Sequence, residues 1–210
     1  MNPIDVIIPT HAALARAAAS RPTSPTRRTR PSMKRYGDWL LTYTGQKFYP
    51  MDPRPEEIRI EDIAHSLANI CRFGGHSLRF YSVAQHSIIV SRACTQAPFQ
   101  GLLHDATEAY CGDIIRPIKI NMPEYRELES RIWLVVCERF GLAPKMHPEV
   151  KVNDNRALMT ERRDILVHSD HEWSLAKDYP PLTDTIFPDP PTVAESVFLT
   201  EFRHYWKEAA

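Results

Sequence analysis

The spacing of apolar residues beyond about residue 61 constrains this chain more than any other feature. Ile63, Leu67 and Ile70, then Val83, Ile88, Ile89 and Val90, then Leu102, Leu103, Ala106 and Ala109 recur at helical intervals. Residues three and four apart share one helix face, so each run turns an apolar stripe toward a common core. Further helices are expected at 123–140, where Phe140-Gly141 supplies a C-terminal stop, at 149–167 and at 192–207. A Pro-rich loop, 178–191, separates the last two. Residues 39–49 read differently: aromatic and β-branched residues alternate around Thr44-Gly45, the pattern of a short β-hairpin, which the Pro-rich stretch 50–55 ends. The expected fold is therefore mainly α, a helical bundle preceded by one short hairpin.

A chain of 210 residues with 43% hydrophobic content suits one domain with a sizeable core. Lys plus Arg and Asp plus Glu number 26 each, so no global field draws the protein to nucleic acid or to an anionic membrane. No run approaches the roughly 18 apolar residues that would span a bilayer. Cys71, Cys94, Cys111 and Cys137 form no Cys-x-x-Cys pair, which argues against a zinc knuckle or a disulfide framework and fits a reducing cytoplasm. Charge is unevenly placed: the first 35 residues hold seven basic side chains against the single acid Asp5. Segment 11–32, rich in Ala, Arg, Ser, Thr and Pro, has no apolar period, so 1–35 reads as a disordered basic tail and 36–210 as the domain. A transit peptide, a basic nucleic-acid arm, or a natural start at Met33 are alternative readings of that tail.

The residues able to do chemistry centre on His104-Asp105, with Glu108 on the same helical face as His104. Alone, a His-Asp dipeptide is as readily a surface ion pair or a helix cap. His86, in the helix candidate beginning near Tyr81, and Asp154, expected to open a later helix, change that reading. Two imidazoles and two carboxylates from three helices make a mixed nitrogen and oxygen donor set, suited to Mn²⁺, Fe²⁺, Co²⁺ or Zn²⁺ rather than to a thiolate site. Such a cation lowers the pKa of a bound water from about 15.7 towards 7, putting hydrolysis in reach near neutral pH.

The order His86, His104-Asp105, Asp154 resembles the H…HD…D pattern of the HD-superfamily metal-dependent phosphohydrolases, and 104–113, from His104 through Glu108 to Asp113, resembles its extended form. The likeness is closest to the small bacterial and phage HD proteins related to 5′-deoxynucleotidases. Ile70-Cys71-Arg72-Phe73-Gly74-Gly75-His76, Phe80-Tyr81-Ser82-Val83-Ala84-Gln85-His86, and 114–119 with Pro117 are similar to segments of those proteins, and 43–50 is similar to the phage-type members. The resemblance covers about 42–165. It implies an HD-domain helical bundle and a divalent ion (Mn²⁺, Co²⁺, Zn²⁺, Fe²⁺ or Mg²⁺) on His86, His104, Asp105 and Asp154. Glu108 and Asp113 match the acids beside the attacked phosphate and the sugar, Arg72 matches a phosphate-binding arginine, and self-association as a homodimer or larger assembly is implied as well. Phe73 departs from the pattern, standing where the deoxynucleotidases carry a tryptophan near the base, and His76 either contacts substrate or supports the loop after Arg72.

The expected activity is hydrolysis of a nucleotide phosphate ester, foremost a deoxynucleoside 5′-monophosphate. The rivals are a (d)NTP triphosphohydrolase of the dATP-cleaving type and a nucleotide-binding sensor without turnover. His65, inside the run Ile63, Leu67, Ile70, reads as a packed or partly exposed histidine, and His147, His168, His171 and His204 read as solvated. Arg162 and Arg163 read as a salt-bridged face with Glu161 and Asp164. Arg116 and Lys119 either meet outer phosphates or form a solvated helix start. Ile132, Val135 and Val136 with Trp133 read as core or subunit interface.

Overall fold

The computed structural model describes residues 34–209 of the chain, so the expected tail lies outside the described residues apart from its last two positions. One compact unit begins at Arg35 rather than at 36. The reason is electrostatic: the Arg35 guanidinium, expected to belong to the tail, is bound to Asp52 (2.6 Å) and to Glu57 and lies over the Tyr49 ring.

The fold is mainly helical with a single hairpin. Strands β1 (Leu40–Leu41) and β2 (Lys47–Phe48) pair antiparallel, with Leu40 opposite Phe48. The helices follow in order: α1 (Ile60–Asn69), α2 (Val83–Ala93), α3 (Pro98–Leu103), α4 (Glu108–Cys111), α5 (Arg116–Lys119), α6 (Pro123–Phe140), α7 (Pro148–Asp164) and α8 (Pro191–Ala209). Gly141 ends α6 in the left-handed conformation (φ +68°), the stop that Phe140-Gly141 predicts. Among the described residues no helix is long and apolar enough to cross a membrane.

Helix α2 occupies the middle, against α1, α3, α7 and α8. Val83, Ala84, Ile88 and Val90 are buried, but so are Gln85, His86, Ser87 and Ser91, so α2 meets protein around most of its circumference. Its start is fixed by Ser82, whose hydroxyl accepts the Gln85 amide (3.1 Å). Helix α3 lies near: a Cβ added at Gly101 would meet the Ser91 Cα at 3.1 Å, a contact tight enough that the backbones would have to give by a few tenths of an ångström. Ile63 and Leu67 of α1, Leu102 and Leu103 of α3, Ile132 and Val136 of α6, and Phe198 of α8 fill the main core. The Ile132 and Val136 stripe is thus core, while Trp133 donates its indole N–H to the Pro144 carbonyl (2.7 Å).

Two local expectations are corrected. The run through Leu102, Leu103, Ala106 and Ala109 is not one helix: α3 stops at Leu103, residues 104–107 form a turn, and α4 begins at Glu108. The His104 ring nitrogen Nδ1 donates to the Gly101 carbonyl (2.7 Å), and i to i−3 bonds such as Ala106 N–H to Leu103 O (3.0 Å) tighten the chain there. Nor does Asp154 open a helix. His147 caps α7 by accepting the Glu149 amide (3.3 Å), which places Asp154 two turns inside it and makes His147 a structural residue rather than a solvated one.

Candidate metal centre

His86 is fully buried on α2, His104 sits in the turn that ends α3, and Asp154 lies on α7; one ligand atom of each falls within 4.8 Å of the others. Three separate elements therefore converge, and this His-His-Asp group could hold a metal ion. Asp105 joins them: its Oδ2 lies 3.3 Å from His104 Nε2 and 3.7 Å from His86 Nε2, while Asp154 Oδ1 is 3.4 Å from His86 Nε2.

The decisive feature is the orientation of the two rings. His86 Nδ1 donates to Glu161 Oε1 (2.6 Å) and His104 Nδ1 donates to the Gly101 carbonyl. With Nδ1 carrying the proton, Nε2 is left as the coordinating nitrogen of each ring. Both Nε2 atoms are buried and have no hydrogen-bond partner. Such buried orphans cost free energy unless something positive and coordinating meets them, so the donor set fits a divalent cation.

The field points the same way. Burial and the Arg72 charge oppose protonation of His86, yet Glu161 and Asp154 raise its pKa to about 9. A positive charge is favoured at that place. Burial also resists ionisation of Asp154, but His86 and His104 hold its carboxyl well below the usual range. Asp105 is likewise lowered against burial, by His104, His86 and Arg72.

Beside this group stands Arg72, in a turn (Arg72–Gly75) where Phe73 takes a left-handed conformation (φ 58°) that costs a bulky residue roughly 1–2 kcal/mol. Its Nη2 donates to Glu161 Oε2 (3.2 Å), Nη1 lies 3.6 Å from Asp105 Oδ2, and Nε is buried without a partner. Phe73 is half-buried with its ring under the Arg72 guanidinium, whereas His76 is exposed. Glu108 is buried, with one carboxyl oxygen unpartnered; burial, reinforced by Asp105 and Asp113, pushes its pKa well above the usual range. Asp113 is raised too, chiefly by burial.

Comparison with known proteins gives the chain a family. The chain is 40% identical to the uncharacterised protein YfdR of Escherichia coli K12 over 166 residues, which cover 78% of this chain and 93% of that protein. It belongs to the YfdR family. An uncharacterised protein of Rhodobacter capsulatus is 36% identical over 124 residues, 54% of this chain and 63% of that relative. No family model matches.

Glu161 is the site residue that sequence reasoning misplaced. Its sequence neighbours Arg162 and Arg163 suggest a salt-bridged surface; it is instead fully buried and binds His86 and Arg72. Its spacing carried the signal, because seven residues after Asp154 is two helical turns and the same face. The arginines behave as expected of a structural face: Arg163 pairs with Asp164 (2.6 Å) and Arg162 donates to the His171 carbonyl (2.7 Å). His65 is not a ligand, being bonded to Glu195 (3.0 Å) and stacked on Tyr43. Lys119 is bound to Glu129 (2.6 Å), with Glu108 at 3.8 Å, and Arg116 is exposed.

Proposed function

We propose that this protein is a metal-dependent phosphohydrolase of the HD superfamily that cleaves the phosphate ester of a nucleotide, foremost a deoxynucleoside 5′-monophosphate. The observation that carries the reading is the pair of buried, unpartnered Nε2 atoms of His86 and His104 facing Asp105 and Asp154, with Arg72 and Glu108 alongside. Those four residues would hold the ion. When bound, a divalent cation supplies the charge that makes an attacking water more acidic and draws in phosphate oxygens.

The chain's own groups supply the rest. Arg72, with a buried, unpartnered Nε and Nη2 donating to Glu161, carries a planar fork of donors that can take two phosphate oxygens. Glu108, whose pKa burial raises, is the group placed to give a proton to the departing nucleoside oxygen. Asp113 accepts a sugar hydroxyl, and Phe73 offers a ring face to the base.

The competing triphosphate reading would need cations for the outer phosphates. Lys119 is paired with Glu129 (2.6 Å), whereas Arg116 is exposed. Incubating purified protein with deoxynucleoside mono- and triphosphates and Mn²⁺, Co²⁺, Zn²⁺, Fe²⁺ or Mg²⁺ tests the proposal by product identity. Inorganic phosphate released from monophosphates, and lost in Asp105→Ala, is expected. Inorganic triphosphate would indicate the rival, and nucleotide-induced stabilisation without product would indicate a sensor.

A further inference from the structure

Glu161 contacts both halves of the centre at once. Oε1 accepts His86 Nδ1–H (2.6 Å), Oε2 accepts Arg72 Nη2–H (3.2 Å), and the side chain is fully enclosed, so the carboxylate has no exposure to solvent through which to adjust one contact independently of the other. The same helix, α7, also carries Asp154. A single rigid element thus presents one carboxylate to the cation position and another to the groups behind it.

We propose that Glu161 is a positioning residue that couples cation binding to oxyanion binding. The inference rests on the preceding reading, in which His86 takes a divalent ion and Arg72 takes phosphate oxygens. A cation held at His86 Nε2 would polarise the imidazole and strengthen the Nδ1–H···Oε1 bond. Carboxylate charge is drawn toward Oε1, Oε2 becomes a weaker acceptor, and the Arg72 guanidinium is released toward phosphate. The converse follows by linkage: phosphate that draws Arg72 off Oε2 leaves more of the Glu161 charge on His86, which makes its Nε2 a better donor to the ion. Each ligand then favours the other through one buried side chain, in addition to their direct attraction.

The test reads binding and not turnover. Mn²⁺ affinity of the full chain is measured by calorimetry with and without saturating inorganic phosphate, for wild type, Glu161→Gln and Arg72→Lys. Glutamine keeps the shape but removes the charge and turns one acceptor into a donor facing Arg72. Wild type is expected to bind Mn²⁺ about fivefold or more tightly with phosphate present. Glu161→Gln should bind Mn²⁺ about 10–100-fold more weakly and show a phosphate effect reduced about threefold or more. Arg72→Lys should lose most of the phosphate enhancement of Mn²⁺ binding. Wild-type affinity and enhancement in Glu161→Gln would overturn the coupling role and leave the metal reading standing, whereas a wild type that binds no Mn²⁺ would overturn both. If Glu161→Gln does not fold, the imidazole ¹H–¹⁵N spectrum of the Mg²⁺-loaded wild type decides: phosphate should move the His86 Nδ1–H signal, and in Arg72→Lys it should not. An unmoved His86 signal at phosphate saturation would overturn the proposal.

Discussion

Removing Asp154's charge should separate the metal-dependent part of this protein's stability from the rest. An ion that binds the folded chain alone stabilises it by about 2.7 kcal/mol at a concentration one hundred times its Kd. For a domain of this size, each kcal/mol moves the Tm by about 2–4 °C, so saturating Mn²⁺ should raise the wild-type Tm by about 5–11 °C. Asp154→Asn conserves shape but takes a negative charge from a position 3.4 Å from His86 Nε2. If the loss weakens binding about 100-fold, the same Mn²⁺ concentration equals the new Kd, the stabilisation falls to about 0.4 kcal/mol, and the shift shrinks to about 1–2 °C. Asp164→Asn is the control: that carboxylate ends the same helix, pairs with Arg163 and accepts the Ile186 amide (2.8 Å), so its variant should be less stable yet keep the full metal shift. Differential scanning fluorimetry with and without a chelator reads all three proteins. Equal shifts in wild type and Asp154→Asn would refute the reasoning, as would a wild type that no divalent ion stabilises.

Other consequences are separable from this one. Glu108→Gln should slow nucleotide hydrolysis by about 10²–10⁴-fold while leaving the Mn²⁺-induced Tm shift intact, because Glu108 is assigned to the proton and not to the ion; paired kinetics and fluorimetry check it. Glu149 accepts the amides of Thr95, Gln96 and Ala97 (2.8–3.1 Å) just before α3, and despite the opposing effect of burial these bonds hold its pKa at about 2. A depressed carboxylate stabilises the fold above its unfolded pKa and stops doing so as pH falls through the folded value. Wild type should therefore exceed Glu149→Gln by about 1 kcal/mol at pH 7, after allowance for solvent screening, and converge with it as pH falls from about 4.5 to 2, as urea midpoints would report. Gly141→Ala should cost about 1–2 kcal/mol in urea unfolding and Gly141→Asn less: nothing lies within 4 Å of a Cβ there, so the cost is the left-handed backbone alone.

The sequence by itself determined the helical architecture and the chemical vocabulary of the centre. Periodic Ile63 and Leu67, the Phe140-Gly141 stop and the residues flanking Thr44-Gly45 act through local rules, because an apolar stripe or a left-handed glycine is fixed by its near neighbours. His86, His104, Asp105 and Asp154 were legible as candidates from their donor types and order. Only the tertiary structure decided that they meet, since convergence of α2, the 104–107 turn and α7 depends on packing between segments far apart in the chain, including the close approach that Gly101 permits. The same holds for the break after Leu103 and for Glu161. Apolar spacing runs through 102–109 without interruption, but the His104 bond to Gly101 competes with the helix there. Glu161, beside two arginines in sequence, looks like an ordinary surface acid until burial between His86 and Arg72 removes it from water. Local patterning records which face a side chain occupies; what waits opposite that face is settled only when distant segments close over it.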